Sequence, residues 1–386
     1  MVKTSPLRIL AAILMLAAGI GILSYAMNAS DVANRDYICY WAAGQQLAHH
    51  ENPYDGATIL QMQNAHGYDG HQPFFMRNPP SAFFLALPLG YVSERTGSIL
   101  WSIAIVGALM ASIRMLWILH GKPEGRLHLV GYLFPPALAC LLVGQIGIFV
   151  LLGVTLFLYL HSAKPALAGA ALLLCALKPH LFLPFGVALL AWIIARQAWA
   201  ILAGAAGALV ASLALAAYFD PHGWTQYSAM LRSSAIPHEF IPTISLVFRL
   251  AINRDAAWLQ IIPSLVAACW ALWYFRKHQS KWDWLHHGSV ILLVGVAFAP
   301  YAWVQDQAIV LPAILAGLYA AIHSGRSLVP FLCIACVALI EVLIPVSAHS
   351  ALYLWTAPGW TIWYLSVTRT PQKLVEPVNL AQEFAA

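Results

Sequence analysis

Asp36 stands in the run Asn34-Arg35-Asp36-Tyr37-Ile38-Cys39-Tyr40-Trp41-Ala42-Ala43-Gly44, directly behind the first apolar segment of the chain. A carboxylate at a membrane surface can take the proton of an attacking hydroxyl. Tyr37, Tyr40, Trp41, Leu47 and Ala48 fall on one face at helical spacing. Such a helix is expected to lie in the interface with its rings at headgroup level. A second reading is open at this point: Asp36 simply caps that helix. Lys178 ends the apolar run Ala171–Leu177 and is followed by Pro179 and His180. A cation at mid-bilayer costs about 2.5–3.5 kcal/mol, so it needs an anion. A lipid phosphate is one such partner, and snorkelling to the headgroups is the alternative.

Other polar residues punctuate the apolar sequence. Gly144-Gln145 breaks two apolar runs, either to contact a polyol or only to turn the chain. In Pro300-Tyr301-Ala302-Trp303-Val304-Gln305-Asp306-Gln307, Asp306 could position a ligand hydroxyl or pair with an arginine. Arg249 could bind phosphate or be a surface charge, and Arg232 fits the surface reading better. Glu341 sits within an apolar helix near its edge. The histidines form no H-x-x-x-H or H-E-x-x-H pattern, so no metal site is expected. No P-loop or dinucleotide fingerprint occurs, which argues against nucleotide use, and no cofactor is expected.

The elements that must position these residues are membrane helices. Of 386 residues, 61% are hydrophobic and only 9% charged, against roughly 25% charged in soluble domains. The net charge of +5 therefore does not point to nucleic acid. An all-α polytopic membrane protein is expected. Its spans lie near 8–26, 98–119, 128–143, 146–161, 166–177, 181–195, 198–218, 258–275, 285–301, 307–323, 328–345 and 350–367, about twelve in all. Residues 8–26 read as a retained signal-anchor rather than a cleaved signal peptide. With both termini cytoplasmic, the basic residues concentrate on the inner side. Only Arg35, Arg77, Arg95, Lys178, Arg232, Arg249 and Arg254 of the 20 Lys and Arg are left outside. The large loops 27–97 and 219–257 then face outward, as do the short turns that hold Gln145, Lys178 and Asp306. Residues 81–92 are too short to span and contain Pro88, so a re-entrant or interfacial piece is expected. Residues 1–367 form one integral-membrane domain, and 368–386 a loose cytoplasmic tail. The six cysteines suggest no pairing. Cys333 and Cys336 read as core residues of a lipid-buried helix.

Taken in order, these motifs resemble those of glycosyltransferase family 87, the polyprenol-phosphate-mannose-dependent mannosyltransferase-like proteins. They are Asp36-Tyr37 with Tyr40 and Ala42, then Asn52-Pro53-Tyr54-Asp55, then Asn78-Pro79-Pro80 with Pro88-Leu89 and Trp101. Gly144-Gln145, Lys164-Pro165 with Leu167-Ala168-Gly169, Lys178-Pro179, and Pro300-Tyr301 with Trp303 and Asp306 follow. The resemblance covers about residues 8–325. It implies a GT-C-like fold with a large first outer loop carrying interfacial helices. It also implies a sugar donor on a polyprenyl phosphate and transfer at the outer face of the cell's inner (plasma) membrane. The family's loop acid lands on Asp36 as catalytic base, and its lysine on Lys178 beside the lipid phosphate. Arg249 and Arg77 are then expected to help hold the phosphate. Tyr37, Tyr40, Gln145, His180, Gln305 and Asp306 are expected near the sugar or the acceptor, a glycolipid or glycan. Family members that transfer mannose tend to carry His in the Pro-x-x-Trp loop, where this chain has Gln305-Asp306. A lipid-phosphate sugar is already activated, so one base and a cation suffice for inverting displacement. The rivals are a transporter or flippase, and a polymerase, of lipid-linked sugars. Transporters place charges near the bilayer midplane in two related halves; here the polar residues crowd one face.

Overall fold

The computed structural model describes residues 35–233, 241, 243–343 and 353–368. The expected span 8–26 and the tail 368–386 lie outside the described residues, apart from Thr368. Among the described residues there are helices and turns and no strand. The helices are α1 (Arg35–Ala48), α2 (Gly56–Ala65), α3 (Glu94–Leu119), α4 (Pro135–Val143), α5 (Gly147–Leu160), α6 (Pro165–Cys175), α7 (Leu183–Arg196) and α8 (Trp199–Phe219). There follow α9 (Gly223–Ser233), α10 (Ile244–Ile252), α11 (Ile261–His278), α12 (Ser289–Ala297), α13 (Leu311–His323), α14 (Val329–Leu343) and α15 (Tyr353–Thr368).

Four stretches among the described residues are long and apolar enough to cross a membrane: Glu94–Leu119, Trp199–Phe219, Ala257–Lys281 and Val304–His323. The other expected spans within the described residues form shorter helices. Proline accounts for much of this. Phe134 precedes Pro135-Pro136 and is held extended, because the α region is disfavoured before proline. The expected span 128–143 therefore divides into a 3₁₀ stretch Leu127–Leu133 and α4. Pro165 and Pro184 likewise sit at the first turns of α6 and α7, where a missing N–H costs nothing.

The helices pack as a chain of neighbours. α3 lies on α5, α5 on α6, and α6 on α8, while α7 lies on α11. α12, α13 and α14 each pack on α15, and α14 also meets α4. One continuous apolar core joins them. Ile99, Ile103 and Met110 on α3, and Val210 on α8, point outward and stay exposed, as lipid-facing side chains do. Cys333 and Cys336 are also exposed on α14 rather than in the core. Apolar surroundings on a membrane helix include lipid as well as protein, so an apolar run alone does not say which.

Two elements matter for the site. α1 is buried in protein: Tyr37, Tyr40, Trp41, Ala42 and Leu47 are all in the core. Protein, not lipid, covers these rings and satisfies the polar atoms of two of them. Tyr37 Oη donates to the Glu94 carbonyl at 2.9 Å, and Trp41 Nε1 to the Val92 carbonyl at 3.1 Å. The segment Pro80–Tyr91 is a series of short helical turns laid across α1. The crossing is at backbone contact. A Cβ on Gly44 would sit 2.2 Å from the Ala86 carbonyl oxygen, and one on Gly90 would sit 2.0 Å from that of Gly44. Only glycine allows that approach. The same segment touches α8, where the Ser212 hydroxyl donates to the Ser81 carbonyl.

Candidate functional site

The residues singled out above converge because four separate loops meet at one end of the bundle. Trp101, near the start of α3, donates its indole N–H to the Gly144 carbonyl at 2.7 Å. Gly144 ends α4 with φ of 70°, the left-handed conformation that suits glycine at a helix end. Cys140 Sγ reaches the Gln305 carbonyl at 3.3 Å. Asn78 Nδ2 donates to the Leu177 carbonyl at 2.7 Å. Lys178 then closes the ring with an ion pair to Asp306.

That ion pair is the strongest polar feature here. Lys178 is only 8% exposed and Asp306 1%. The Asp306 carboxylate is held by two donors. Oδ1 takes Lys178 Nζ, and Oδ2 takes the Trp303 N–H at 2.9 Å, which caps the 3₁₀ turn Val304–Val310. The sequence reading left Asp306 to a ligand hydroxyl or to an arginine; its partner in the structure is Lys178. A carboxylate tied down by a cation and a backbone N–H has its charge stabilised twice.

The second acid sits close by. Asp36 lies in the first turn of α1 and is buried. Its carboxylate and that of Asp306 both act on Tyr40, which lies one turn further along α1. Burial pushes the Tyr40 hydroxyl well above its usual range, and Cys39, Asp36, Asp306 and Cys140 push the same way. Tyr40 therefore stays a neutral phenol. It stacks on Trp101 at 5.1 Å and donates to Asn78 Oδ1 at 3.2 Å. Lys178, Asp306 and Asp36 also all act on the Cys140 thiol. Asp36 and Lys178, from distant stretches, thus share one neighbourhood.

His180 completes the cluster on the Lys178 side. Its ring stacks on Tyr301 at 4.0 Å. Burial depresses its pKa to about 4; the Asp306 carboxylate opposes this and Lys178 reinforces it. Tyr301 is acted on in turn by Tyr227, Asp306 and Arg77, so Arg77 belongs to the rim of the same cluster. Tyr227, on α9, also packs against Tyr54 at 5.6 Å. The second large loop thereby leans on the first.

Three other expected residues have these surroundings. Tyr37 spends its hydroxyl on Glu94, positioning α1. Gln145 turns its side-chain carbonyl onto the Gly147 N–H at 2.8 Å and so caps α5. Arg249 is buried on α10, where Arg254 and Asp255 are among the charges acting on it. Gln305 enters the site through its carbonyl, which receives the Cys140 thiol. Among the described residues no group of three or more His, Cys, Asp or Glu side chains could hold a metal ion. His286 and His287 instead pair with tyrosine hydroxyls, Tyr364 at 3.3 Å and Tyr274 at 2.9 Å.

Asn78 is the residue that sequence reasoning undervalued. Its amide receives Tyr40, reaches Leu177, and its carbonyl accepts the Tyr54 hydroxyl at 2.9 Å. It ties α1, the following loop and the Lys178 turn together. Its place in Asn78-Pro79-Pro80 was the available signal: Pro79 is extended ahead of the turn Pro80–Ala82, so Asn78 stands outside any helix.

Residues 75–345, well over half of the chain, match Glycosyltransferase family 87. The chain belongs to that family. No curated protein and no solved structure matches it. This family 87 protein is accordingly a membrane glycosyltransferase, with a sugar donor and an acceptor to bring together. Its Asn78, Lys178, His180 and Asp306 fall inside the matched stretch, whereas Asp36, Tyr40 and Tyr54 precede it.

Proposed function

We propose that this glycosyltransferase moves a hexose, mannose-like, from a polyprenyl-phosphate donor to a hydroxyl of a lipid-linked or cell-envelope acceptor. The reaction takes place at the outer face of the plasma membrane, in a GT-C-like fold. The observation that carries the reading is the shared neighbourhood of Asp36 and Lys178 around Tyr40, Asp306 and Cys140. A base and a cation are what this chemistry needs side by side.

Lys178 faces the donor phosphate, with Arg77 at the rim. Asp36 receives the proton of the acceptor hydroxyl as its oxygen bonds to the anomeric carbon. The bond from that carbon to the phosphate oxygen breaks, and polyprenyl phosphate leaves with the electron pair. One displacement inverts the anomeric centre. The base role goes to Asp36, the acid in the first turn of α1, while Asp306 pairs with Lys178. Arg249 supports the phosphate from the second loop. Tyr40 and Asp306 keep Asp36 and Lys178 in place.

The test is Asp36→Asn, assayed in membranes with a radiolabelled polyprenyl-phosphate mannose donor. Loss of a general base lowers the rate about 10²–10⁴-fold, while donor binding stays near that of the parent. Transfer at the parent rate removes Asp36 from its role. Donor moved across the bilayer with no new glycosidic bond supports a flippase instead. Mass spectrometry of lipid extracts from a deletion strain would name donor and acceptor together, through the missing glycan.

A further inference from the structure

We propose that His180 is a specificity-determining residue: its Nε2 hydrogen-bonds a hydroxyl of the transferred sugar, beside the phosphate that Lys178 holds. This rests on the lipid-phosphate donor reading above.

His180 carries an unmet nitrogen. His180 Nε2 is buried and has no hydrogen-bond partner among the described residues. A buried polar atom left unsatisfied is costly, so native structures usually supply it with protein, water or ligand. The ring cannot easily turn to find another partner, because it is stacked on Tyr301 at 4.0 Å with only 26° between the planes. The Lys178 ammonium and the Asp306 carboxylate both act on it. The orphan nitrogen therefore sits at the phosphate end of the site.

The state of the ring narrows the ligand. Burial holds the imidazole neutral, and the nearby ammonium does the same. A neutral imidazole offers one donor and one acceptor. It suits a hydroxyl, which can meet it in either tautomer. It adds no charge to the binding of a phosphate, a task already given to Lys178. Pro179 between the two residues fixes their relative placement. The sugar is joined to the phosphate by one oxygen, so a residue two positions from the phosphate-binding lysine falls beside the sugar ring. The aromatic side chains of Tyr301, Tyr227 and Tyr54 line the neighbouring wall.

The experiment separates sugar from phosphate. The parent, His180→Phe, His180→Gln and Lys178→Met, reconstituted in nanodiscs, are titrated by tryptophan fluorescence with two probes. One is polyprenyl-phosphate mannose; the other is the bare polyprenyl phosphate. The Phe variant keeps the stack on Tyr301 and loses the nitrogen. It is expected to lose about tenfold in affinity for the sugar-bearing lipid, a typical value for one hydrogen bond, with no change for the bare lipid. The Gln variant keeps an amide in reach and stays within about threefold of the parent. Lys178→Met weakens both lipids alike. Equal affinities of parent and Phe variant for both lipids, or equal losses for both, overturn the role of His180. If the Phe variant does not fold, the parent decides: it must bind the sugar-bearing lipid more tightly than the bare one, and equal affinities refute the contact. A parent that binds neither lipid defeats the donor reading itself, and this inference with it.

Discussion

Asp306→Asn should be far more damaging than loss of one surface charge, and the reason lies in what is left behind. Lys178 and Asp306 are 8% and 1% exposed. In such a setting the net value of an ion pair is small, because desolvation offsets attraction. Breaking it is another matter: an uncompensated buried charge costs about 3–5 kcal/mol. Asp306→Asn strands the Lys178 ammonium and should cost that much. Lys178→Met leaves Asp306 with one remaining donor, the Trp303 N–H at 2.9 Å, so its cost should be smaller, about 2–4 kcal/mol. The double variant removes both charges and should cost less than Asp306→Asn alone. The coupling energy from the cycle is then at least about 2 kcal/mol. Reversible unfolding in mixed detergent micelles measures all four proteins. Additivity within about 0.5 kcal/mol would show that the two side chains do not depend on each other, and would refute the pairing and the assembled site with it.

Three further outcomes are expected. Gly44→Val drives a side chain into the Ala86 carbonyl, 2.2 Å from its Cβ, so α1 must shift; transfer should fall with Asp36 and Tyr40 displaced, and the detergent melting temperature should drop. Asn78→Leu leaves the Tyr40 hydroxyl and the Leu177 carbonyl without their partner and should cost about 2–3 kcal/mol in the same unfolding assay. His180 titrates from 6.5 unfolded to about 4 folded, so the unfolded chain binds the extra proton and stability falls as pH drops through that window. At about 1.4 kcal/mol per pH unit the loss is at most about 3.5 kcal/mol, and His180→Phe should flatten that part of a stability profile between pH 6.5 and pH 4.

Much of the site was legible because its chemistry is expensive in lipid. Lys178 stood out as a cation at the end of an apolar run, and Asp36 as an acid directly behind a span; the structure places both in one cluster. What the sequence could not show is who meets whom. The link from Lys178 to Asp306 spans 128 residues, and nothing local encodes it. The aromatic face of α1 looked interfacial by its period, yet Tyr37 and Trp41 find backbone carbonyls at Glu94 and Val92 and go inside. Amphipathic spacing states that one face is apolar and says nothing of whether lipid or protein covers it. Gln145 was read either as a polyol contact or as part of a turn, and its side-chain carbonyl takes the Gly147 N–H. The division of 128–143 at Pro135 was visible in the sequence, and the long-run hydropathy concealed it.

The arrangement also bears on why these residues sit on loops rather than on helices. Four members of the cluster lie at element boundaries: Asp36 in the first turn of α1, Lys178 and His180 between α6 and α7, Asp306 ahead of α13. Helices that must satisfy their own backbone in lipid leave little freedom for polar side chains along their length. At helix ends the backbone groups are unpaired and can be answered by side chains, as Asp306 answers the Trp303 N–H and Gln145 that of Gly147. The charges of Lys178, Asp306 and Asp36, carried by three separate element boundaries, thereby act together on Cys140.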